Sequence, residues 1–482
     1  MAKILYVASE AYPLAKTGGL GHVAGTLPHA LAEQGEDIRL MLPGYPQALD
    51  MAEAKTDGPR LTRLLNGYDA TLVAARMPGH GLPVWLVDCP ELYRRDGGPY
   101  GPDGGADWPD NHLRFAVLGR AAALLGIADG LAGFTPDIIH ANDWPTGLTA
   151  AYLKAWGGPR PRSVFTIHNM SYQGLFPAAV MAALSLPEGA FSIDGVEFWG
   201  QVSFLKAGLA FSDRLTTVSP TYARQIQSAP EGEGLEGLLA RRAGDLVGIL
   251  NGIDDAVWNP ATDPLINQTY SAGTLARKQS NKLALQQELG LTHDPAAPLI
   301  GLVSRLVEQK GIDLVMSALP AVLEMGAQVV ALGTGTPALE QGLSDAAARG
   351  RGKAVVRIDY DEALSHRIVA GADMLVVPSR FEPGGLIQLF AHRYGTLPIV
   401  RETGGLADTV TDAREGTTGD GFLFKQATAD ALTDAVARAI ALYGKRTPWR
   451  ALQRRAMARD HSWRDRARQY TRLYAQMLET GP

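Results

Sequence analysis

The chain has 482 residues, of which 46% are hydrophobic and 20% charged, and its formal net charge is −5. This length exceeds the roughly 250–300 residues at which single cores stop growing, so two domains are expected. The slight acidic balance disfavours a general binder of nucleic acids or anionic membranes, because such proteins usually carry excess positive charge.

The cysteine content and the N-terminal residues indicate a cytoplasmic protein. Cys89 is the single cysteine, so no disulfide can form within the chain and a reducing compartment is expected. The first apolar run is short and breaks at Ser9 and Glu10, which predicts a strand rather than a signal peptide. No apolar run approaches the ~18–20 residues that span a bilayer, so no membrane segment is expected.

Short apolar runs alternate with helical patterns along the chain. Many of the runs are rich in β-branched residues without polar alternation, which is typical of strands buried on both faces of a parallel sheet. In chain order the predicted strands are Ile4–Ala8, Ile38–Leu42, Val84–Asp88, Asp137–His140, Ser163–His168, Arg214–Val218, Leu246–Leu250, Leu299–Ser304, Gln328–Gly333, Ala354–Ile358, Met374–Pro378, Leu397–Val400 and Gly421–Phe424. The alternation of strand and helix predicts an α/β protein with doubly wound sheets.

A segment without periodicity, Asn251–Leu265, is rich in Asn, Asp and Pro and predicts a domain boundary. The expected domains cover residues 1–250 and 251–460, and a final helix covers 461–482. In open α/β sheets ligands bind beyond the carboxyl ends of the strands. Residues at those ends are therefore the candidates for function.

The tetrapeptide Thr-Gly-Gly-Leu occurs at residues 17–20 and again at residues 403–406, each time between a predicted strand and a predicted helix. Glycines there let the backbone approach a ligand, and the first helical N–H groups attract an anion. Lys16 precedes the first copy and adds a cation suited to phosphate. The alternative is a tight turn that only needs positive φ at glycine.

Charged side chains follow two predicted strands of the second half. Arg305 and Lys310 lie after one buried strand, where two cations are favourable if they meet an anion such as a diphosphate. The alternative is a solvated loop in which they pair with Glu308 or Glu382. Glu382 follows another strand and precedes two glycines at a helix start. A carboxylate there suits the hydroxyls of a sugar or ribose, or alternatively complements the helix dipole.

Polar side chains also end two strands of the first half. Asp143 follows one of them, and His168 with Asn169 ends the other. A single histidine at a strand end is often structural, but polar groups clustered at one sheet edge are what a sugar site requires.

The sequence favours no metal or redox cofactor. Asp359–Asp361 has the D-x-D form of metal-dependent glycosyl transfer, but Asp361 and Glu362 are predicted to cap and charge the helix that follows. The zinc patterns CxxC and HExxH and the P-loop are not found in the sequence, and no dinucleotide pattern GxGxxG closes the first predicted strand.

Taken together, these stretches resemble the bacterial glycogen synthase and plant starch synthase family. The matching phrases, in family order from Ser9 to Val410, are SEAYPLAKTGGL, HANDW, TIHNMSYQGLFP, GILNGIDDAVWNPATDP, VSRLVEQKGIDL, SRFEPGGLIQL and YGTLPIVRETGGLADTV. The resemblance implies a GT-B fold, with two Rossmann-like domains, an active site in the interdomain cleft and a C-terminal helix crossing back to the first domain. It also implies metal-independent, retaining transfer of glucose from ADP-glucose to the non-reducing end of an α-1,4-glucan, either glycogen or a maltooligosaccharide.

The resemblance assigns catalytic roles to five residues. Arg305 and Lys310 would bind the diphosphate and stabilise the leaving ADP. Glu382 would contact the transferred glucose. His168 would lie near the 6-hydroxyl of that glucose, with Asp143 beside it.

A larger set is assigned to substrate binding. These residues are Glu10, Lys16, Thr17, Gly18, Gly19, His22, Tyr100, Asn169, Asn251, Tyr360, Gly384, Gly385, Leu386, Thr403, Gly404 and Gly405. Tyr360 would stack on the adenine, and Lys16 with the first Thr-Gly-Gly-Leu would reach the nucleotide-sugar. The second Thr-Gly-Gly-Leu would offer backbone N–H groups to the distal phosphate, and Glu10 and Tyr100 would contact the sugar or the acceptor.

Four positions depart from the family pattern. His22 stands where the family usually has Asp, Pro145 where it has His, Gly384 where it has Cys, and Ile387 where it has Thr. An imidazole at position 22 in place of a carboxylate predicts altered sugar positioning, pH dependence or specificity.

Other functions remain alternatives to an ADP-glucose-dependent glucan synthase. One is an enzyme of the same fold that uses UDP-glucose or a small maltosyl acceptor, and another is a non-catalytic glucan-binding protein. A hydride-transferring enzyme is disfavoured because the dinucleotide fingerprint is missing. Both a front-face route and a double displacement would retain the configuration, and the oligomeric state stays open.

Overall fold

The structure is a computed structural model that describes residues 1–65, 67–102, 106–127, 133–414 and 418–479. The chain forms two compact units. The first comprises Met1–Gly252 together with Trp463–Pro482, and the second comprises Ile253–Ser462. Each unit is built around one wound sheet, as the alternation of strands and helices predicts.

In its described residues, the first unit contains a nine-stranded sheet and a three-stranded sheet. The strands are β1 (Lys3–Val7), β2 (Asp37–Pro43), β3 (Glu53–Leu65), β4 (Tyr68–Arg76), β5 (Pro83–Asp88), β6 (Ile138–Asn142), β7 (Arg162–Ile167), β8 (Leu175–Pro177), β9 (Glu197–Phe198), β10 (Gln201–Ser203), β11 (Arg214–Thr217) and β12 (Leu246–Gly248). The helices are α1 (Gly19–Glu33), α2 (Pro46–Met51), α3 (Pro90–Tyr93), α4 (Asn111–Ile127), α5 (Leu148–Trp156), α6 (Phe204–Phe211), α7 (Pro220–Gln225) and α8 (Glu236–Arg241).

The nine-stranded sheet has the order β12-β11-β7-β6-β1-β2-β5-β4-β3. The seven strands from β12 to β5 are parallel, and Ile4 of β1 pairs with Ile38 on one side and Ile138 on the other. The chain runs outward from β1 through β2 and later returns to β6 on the other side of β1. Because the winding reverses there, the carboxyl ends of β1 and β6 form the crevice where such sheets bind ligands.

The sequence prediction missed the antiparallel strands of this unit. β4 pairs antiparallel with β5, and β3 pairs antiparallel with β4 through several register shifts. Most of β3 is exposed and it contains Gly58 and Pro59, so it lacks the buried apolar run that marks the other strands. The short strands β8, β9 and β10 have only two or three residues, too few to show a period.

The second unit contains a six-stranded parallel sheet in its described residues. Its strands are β13 (Leu299–Val303), β14 (Gln328–Leu332), β15 (Ala354–Arg357), β16 (Met374–Val377), β17 (Leu397–Arg401) and β18 (Phe422–Phe424), in the order β15-β14-β13-β16-β17-β18. Its helices are α9 (Lys278–Leu289), α10 (Ile312–Glu324), α11 (Pro337–Ala348), α12 (Glu362–Gly371), α13 (Ile387–Arg393), α14 (Gly404–Thr409), α15 (Ala429–Tyr443) and α16 (Arg446–Met457). The winding reverses between β13 and β16, so a second ligand crevice is expected at their carboxyl ends.

The final helix, α17 (Trp463–Glu479), belongs to the first unit, and the prediction that the chain returns there is confirmed. Trp463 Nε1 donates to Thr26 Oγ1 of α1 at 2.7 Å, and the buried face of α17 includes Tyr470 and Tyr474. The helix is amphipathic, because its apolar residues recur every three or four positions. Over the described residues, no helix is both long and apolar enough to cross a bilayer.

Candidate active site

Each unit carries one cluster of the predicted residues at the crevice of its sheet. We call these the N-terminal cluster (Glu10, Lys16–Gly19, Tyr100, Asp143, His168 and Asn169) and the C-terminal cluster (Arg305, Lys310, Glu382 and Thr403–Gly405, together with Ser379, which was not selected from the sequence). The strand prediction explains their placement, because these residues follow β1, β6 and β7 in one sheet and β13, β16 and β17 in the other. Lys16 and Tyr100 instead come from the loops before α1 and α4.

Glu10 organises the first Thr-Gly-Gly-Leu turn. Its carboxylate is buried, and Oε2 accepts hydrogen bonds from the backbone N–H groups of Thr17 (2.5 Å) and Gly18 (3.1 Å). Tyr100 donates its hydroxyl proton to Oε1 at 2.9 Å. Two amides of the turn are therefore satisfied by the protein itself, and Glu10 acts as the tether that fixes the start of α1. The contact of Glu10 with the sugar or the acceptor that the resemblance implies stays a prediction.

Asp143 and His168 are joined through the backbone. Asp143 Oδ1 accepts the His168 N–H at 2.7 Å, and the Asn169 N–H also donates to this carboxylate. The pKa of Asp143 is raised to about 7, chiefly by burial and in smaller part by the nearby Glu10 carboxylate, while the two amides act in the opposite direction. Asp143 has φ 55°, a conformation that is uncommon outside glycine and is typical of functional sites.

The His168 ring is oriented by Asn142, a residue that the sequence reasoning did not select. Asn142 Oδ1 lies 3.1 Å from His168 Nε2 and accepts the Tyr6 hydroxyl at 3.0 Å, while its Nδ2 donates to the Val7 carbonyl. Because an amide oxygen can only accept, His168 carries its proton on Nε2. Burial lowers the pKa of His168 to about 3, so the ring is neutral at pH 7.

A buried polar network continues beneath this cluster to the C-terminal helix. His140 contacts the Tyr474 hydroxyl at 2.7 Å and Thr166 Oγ1 at 2.5 Å. Tyr470 bonds to Thr166 and Thr216. The return of α17 therefore supports the strands β6 and β7 that carry Asp143 and His168.

The other predicted residues of the first unit lie around this cluster. Tyr100 is partly buried, and burial together with Glu10 raises the pKa of its phenol well above the ordinary value. His22 sits on α1, with its ring centroid 5.9 Å from that of Tyr12, and Lys16 Nζ lies 5.2 Å from the Tyr12 ring. Asn251 is buried, and its Oδ1 accepts no hydrogen bond within the described part of the chain.

The C-terminal cluster is centred on an ion pair. Lys310 Nζ lies 2.6 Å from Glu382 Oε2, and Ser379 Oγ donates to the same oxygen at 2.8 Å. The Glu382 side chain is 8% exposed and the Lys310 side chain 19%, so this pair is shielded from solvent. Arg305 lies two residues after β13 and is exposed. The sequence alternative in which Lys310 pairs with Glu382 is therefore confirmed as a contact.

The two loops of this cluster are fastened to each other. Arg380 N donates to the Gln309 carbonyl at 2.8 Å, and Gln309 Nε2 donates to the Phe381 carbonyl at 3.2 Å. Arg380 also forms a bidentate pair with Asp313 of α10, at 2.7 Å for both contacts. These supporting residues were not selected from the sequence, although all lie within the motifs that contain Lys310 and Glu382.

The second Thr-Gly-Gly-Leu turn packs against the loop that carries Glu382. The Gly405 N–H donates to the carbonyls of Glu382 (3.0 Å) and Pro383 (3.1 Å), and Gly404 has φ 45°, which favours glycine. The Gly405 amide therefore donates within the protein, and the expected donation of amides of this turn to a phosphate stays a prediction. Gly384 accepts from Gln388 Nε2 at 3.0 Å, and Gly385 and Leu386 complete the turn into α13.

Tyr360 and the D-x-D sequence lie before α12. Tyr360 is 64% exposed, and its hydroxyl donates to Glu362 Oε2 at 3.4 Å. Asp361 is the N-cap of α12, because its Oδ1 accepts the Leu364 N–H at 2.8 Å, and Glu362 lies in the first turn. The predicted capping role is confirmed. In the described ranges, no group of three or more His, Cys, Asp or Glu side chains is placed to bind a metal ion.

Comparisons with known proteins define the class. Residues 3–241 match the model of the starch synthase catalytic domain, and residues 288–455 match that of glycosyl transferases group 1. The fold is similar to the catalytic domain of starch synthase IV from Arabidopsis thaliana bound to ADP and acarbose, with a TM-score of 0.91, 34% identity and 99% of both chains covered. Sucrose-phosphate synthase from Thermosynechococcus elongatus shares the fold at a TM-score of 0.62 and 19% identity, over 100% of both chains. The protein is a glycosyltransferase of the GT-B fold.

Relatives that are similar over the whole chain identify the family within this class of glycosyltransferases. A glycogen synthase of Paramagnetospirillum magneticum is 49% identical over 485 residues, which cover 99% of this chain and 98% of the relative. A glycogen synthase of Rhodospirillum rubrum is also 49% identical, over 477 residues with the same coverage. The chain belongs to the glycogen synthase and starch synthase family.

Proposed function

We propose that this protein transfers glucose from ADP-glucose to the non-reducing end of an α-1,4-glucan, with retention of configuration. The observation that carries the proposal is the shielded contact between Lys310 and Glu382 at the crevice of the six-stranded sheet, in which Lys310 and Arg305 both follow β13. Relatives named glycogen synthase, and a similar structure bound to ADP and acarbose, support this choice of donor and acceptor.

Arg305 and Lys310 act on the leaving group. As the bond between glucose C1 and the diphosphate oxygen breaks, negative charge grows on ADP, and two cations near it lower the barrier. Glu382 holds Lys310 in place before the donor arrives and then contacts the transferred glucose. Tyr360 stacks on the adenine, since its exposed ring offers a flat apolar face.

The N-terminal cluster acts on the glucose and the acceptor. His168 is neutral, carries its proton on Nε2 and can accept a hydrogen bond at Nδ1, which suits a sugar hydroxyl. Asn142 orients that ring and Asp143 binds the His168 backbone N–H. Asn169 contacts the substrate, and Lys16 attracts the phosphates. Glu10 fixes the conformation of the turn Thr17–Gly19, and the Tyr100 hydroxyl is its second hydrogen-bond partner.

The remaining substrate-binding assignments are also proposals. His22 and Asn251 contact the substrate from α1 and from the end of the first unit. The wall around Glu382 is formed by close backbone packing of Gly384, Gly385, Leu386 and the turn Thr403–Gly405.

The protein acts without a metal, on no nucleic acid and on no membrane. Its single thiol, Cys89, is free and buried, which suits a cytoplasmic location.

The reaction itself is tested with radiolabelled ADP-glucose and glycogen. The expected product is labelled glycogen from which β-amylase releases the label as maltose, because that enzyme removes α-1,4-linked units from non-reducing ends. Free ADP should appear in equal amount. Label that stays in the residual core after β-amylase, or ADP release without labelled glycogen, would overturn the proposal.

A further inference from the structure

Trp199 occupies a conformation that its side chain does not favour. It forms, with Gly200, the two-residue turn between β9 and β10, since Gln201 pairs with Phe198 and Val202 with Glu197. Trp199 has φ 50° and Gly200 has φ 78°. Turns with two positive φ values favour asparagine and glycine, so a tryptophan in the first position is strained.

Folding removes little of the surface of the Trp199 indole from water. Its side chain is 82% exposed, whereas tryptophan is usually highly buried on average. A residue that is both strained and exposed does not stabilise the fold, and such residues cluster at ligand sites. An exposed aromatic ring of this kind marks a contact surface.

The hairpin that carries Trp199 is held firmly. Gly200 N–H donates to Glu197 Oε1 at 2.7 Å, and Val202 is fully buried while β10 pairs with β8. Lys206 Nζ donates to the Ile193 carbonyl at 2.7 Å and to the Glu197 carbonyl. The indole is therefore presented on a fixed support, which reduces the entropy lost on binding.

Contacts connect this hairpin to the N-terminal cluster. At Gly234, a Cβ atom would lie 3.0 Å from Phe198 Cζ and 3.6 Å from Trp199 Nε1, so the glycine lets both rings approach the loop. In that loop Glu233 Oε1 accepts the Ser171 hydroxyl at 3.0 Å, and its carbonyl accepts from Gln173 Nε2 at 2.9 Å. Ser171 follows Asn169 of the N-terminal cluster by two residues. The loop at Glu233 therefore connects this cluster to the hairpin that carries Trp199.

The side chains around Trp199 indicate which class of ligand binds there. Glu197 and Glu233 beside the rings are acidic, and the Lys206 ammonium beneath the hairpin is buried and bound by two carbonyls, which disfavours a phosphate or a nucleic acid. Tyr172 lies in the chain between Ser171 and Gln173, which both contact Glu233. It is 44% exposed and adds a second aromatic face. Aromatic faces bind the C–H faces of pyranose rings, and carboxylates accept their hydroxyls. A neutral, polyhydroxylated chain fits these groups.

We propose that Trp199 is the platform of an outer binding subsite for an α-1,4-glucan chain, several glucose units away from the end that is extended. This inference rests on the proposed function, which supplies a glucan as the acceptor. The subsite binds long chains and leaves the chemical step unchanged. Short acceptors such as maltose do not reach it.

Trp199→Ala tests the subsite, and Trp156→Ala serves as the matched control because Trp156 is another exposed tryptophan of the same unit, 57% exposed at the end of α5. With glycogen, Trp199→Ala should raise KM about tenfold, the loss expected for one aromatic stacking contact, and kcat should stay within about twofold. With maltose, its rate should equal that of the wild type. Trp199→Tyr should recover part of the affinity for glycogen, and Trp156→Ala should show no change.

Trp199→Gly separates binding from folding. Glycine accepts the positive φ, so this variant should unfold at the same or a higher temperature while losing the same affinity for glycogen. Unchanged glycogen KM in Trp199→Ala, or an equal loss with maltose together with a lower unfolding temperature, would overturn the subsite. If the wild type transfers no glucose, the proposed function fails. Retardation of the wild type and Trp199→Ala in glycogen-containing native gels then still tests the subsite, and equal retardation would overturn it.

Discussion

Lys310 Nζ lies 2.6 Å from Glu382 Oε2, and Ser379 Oγ reaches the same oxygen at 2.8 Å. The ammonium group is thus paired with a carboxylate of its own unit. A diphosphate would supply a second, stronger negative charge near the same cation, and the paired carboxylate holds the ammonium group in position until the diphosphate binds. This contact explains how a cation can be kept in a shielded crevice at moderate energetic cost.

Removing either cation of the C-terminal cluster should slow the reaction. We expect Arg305→Ala and Lys310→Ala to lower kcat by on the order of 10²–10³, as for the loss of one preorganised donor. Arg305 is exposed, so its variant should keep the wild-type unfolding temperature. Lys310→Ala should lose about 1–3 kcal/mol of unfolding free energy, because Glu382 loses its partner. Steady-state kinetics and thermal unfolding measure both effects.

Arg367→Ala is the control for these variants. It removes an arginine that pairs with Glu288 at 2.8 Å on the surface of the same unit, outside the cluster. Its rate should be that of the wild type, and its stability should fall by less than about 1 kcal/mol. Near-normal rates in both cluster variants would contradict the role of the cations.

The tether at Glu10 predicts a difference between two substitutions. Glu10→Ala leaves the Thr17 and Gly18 amides without their acceptor and should lower kcat/KM for ADP-glucose by about 10–100-fold. Glu10→Gln retains one side-chain oxygen for the two amides and can donate its amide to the Tyr100 hydroxyl, so it should stay within about tenfold of the wild type. Equal losses in the two variants would show that the negative charge, and not the tether, is what matters.

Asp143 predicts a pH effect on stability and rate. Burial raises its pKa to about 7 in the folded protein, against about 3.9 when unfolded, so the folded state binds more protons between these values. Its ionisation therefore destabilises the fold progressively as the pH rises from about 4 to 7. Asp143→Asn removes this penalty and still accepts the His168 N–H. The variant should gain about 2–4 kcal/mol relative to the wild type between pH 4 and pH 7.5, measured by urea unfolding.

The same substitution should also change the pH–rate profile. The wild type should show an ionisation near pH 7 in kcat/KM, and Asp143→Asn should lack it. An unchanged profile would assign that ionisation to another group.

Lys278 predicts a pH effect of opposite direction. Burial lowers the pKa of Lys278 to about 7, although its Nζ donates to the Ala370 carbonyl at 2.7 Å and to Thr396 Oγ1 at 2.6 Å. The folded state therefore binds fewer protons than the unfolded state between pH 7 and about 10.4, and the wild type gains stability as the pH rises through this window. Lys278→Met lacks the titration, so its stability relative to the wild type should decrease by about 2–4 kcal/mol from pH 6.5 to pH 9.5. A constant difference would contradict the neutral buried lysine.

The sequence predicts the parts of this fold that depend on burial. All thirteen strands selected as apolar runs are present, because a parallel strand covered on both faces needs a continuous apolar sequence. β3 and β4 were missed because one face is solvated, the pairing contains register shifts, and β3 contains Gly58 and Pro59. These two strands are stabilised by the pairing of β4 with β5 and of β3 with β4. Such pairing leaves no pattern in the local sequence.

The sequence places most residues of the two clusters at the strand ends where they are found, but it gives few of the contacts between them. Strand ends and motif order identify Asp143, His168, Lys310 and Glu382. The partners of the turn amides follow from tertiary packing, so the sequence does not show that Glu10 binds the Thr17 and Gly18 amides. It likewise leaves out the support of β6 by Tyr474, which is 334 residues from His140.

The central claim, glucosyl transfer from ADP-glucose to a glucan, is tested most directly by a paired-donor assay. The purified chain is incubated with glycogen and either ADP-glucose or UDP-glucose, and nucleoside diphosphate release and incorporated glucose are measured together. We predict that kcat/KM is at least about tenfold higher with ADP-glucose, with one glucose incorporated per ADP released. Equal or higher kcat/KM with UDP-glucose would contradict the assignment of the donor, and glycogen binding without transfer from either donor would contradict the assignment of an enzyme.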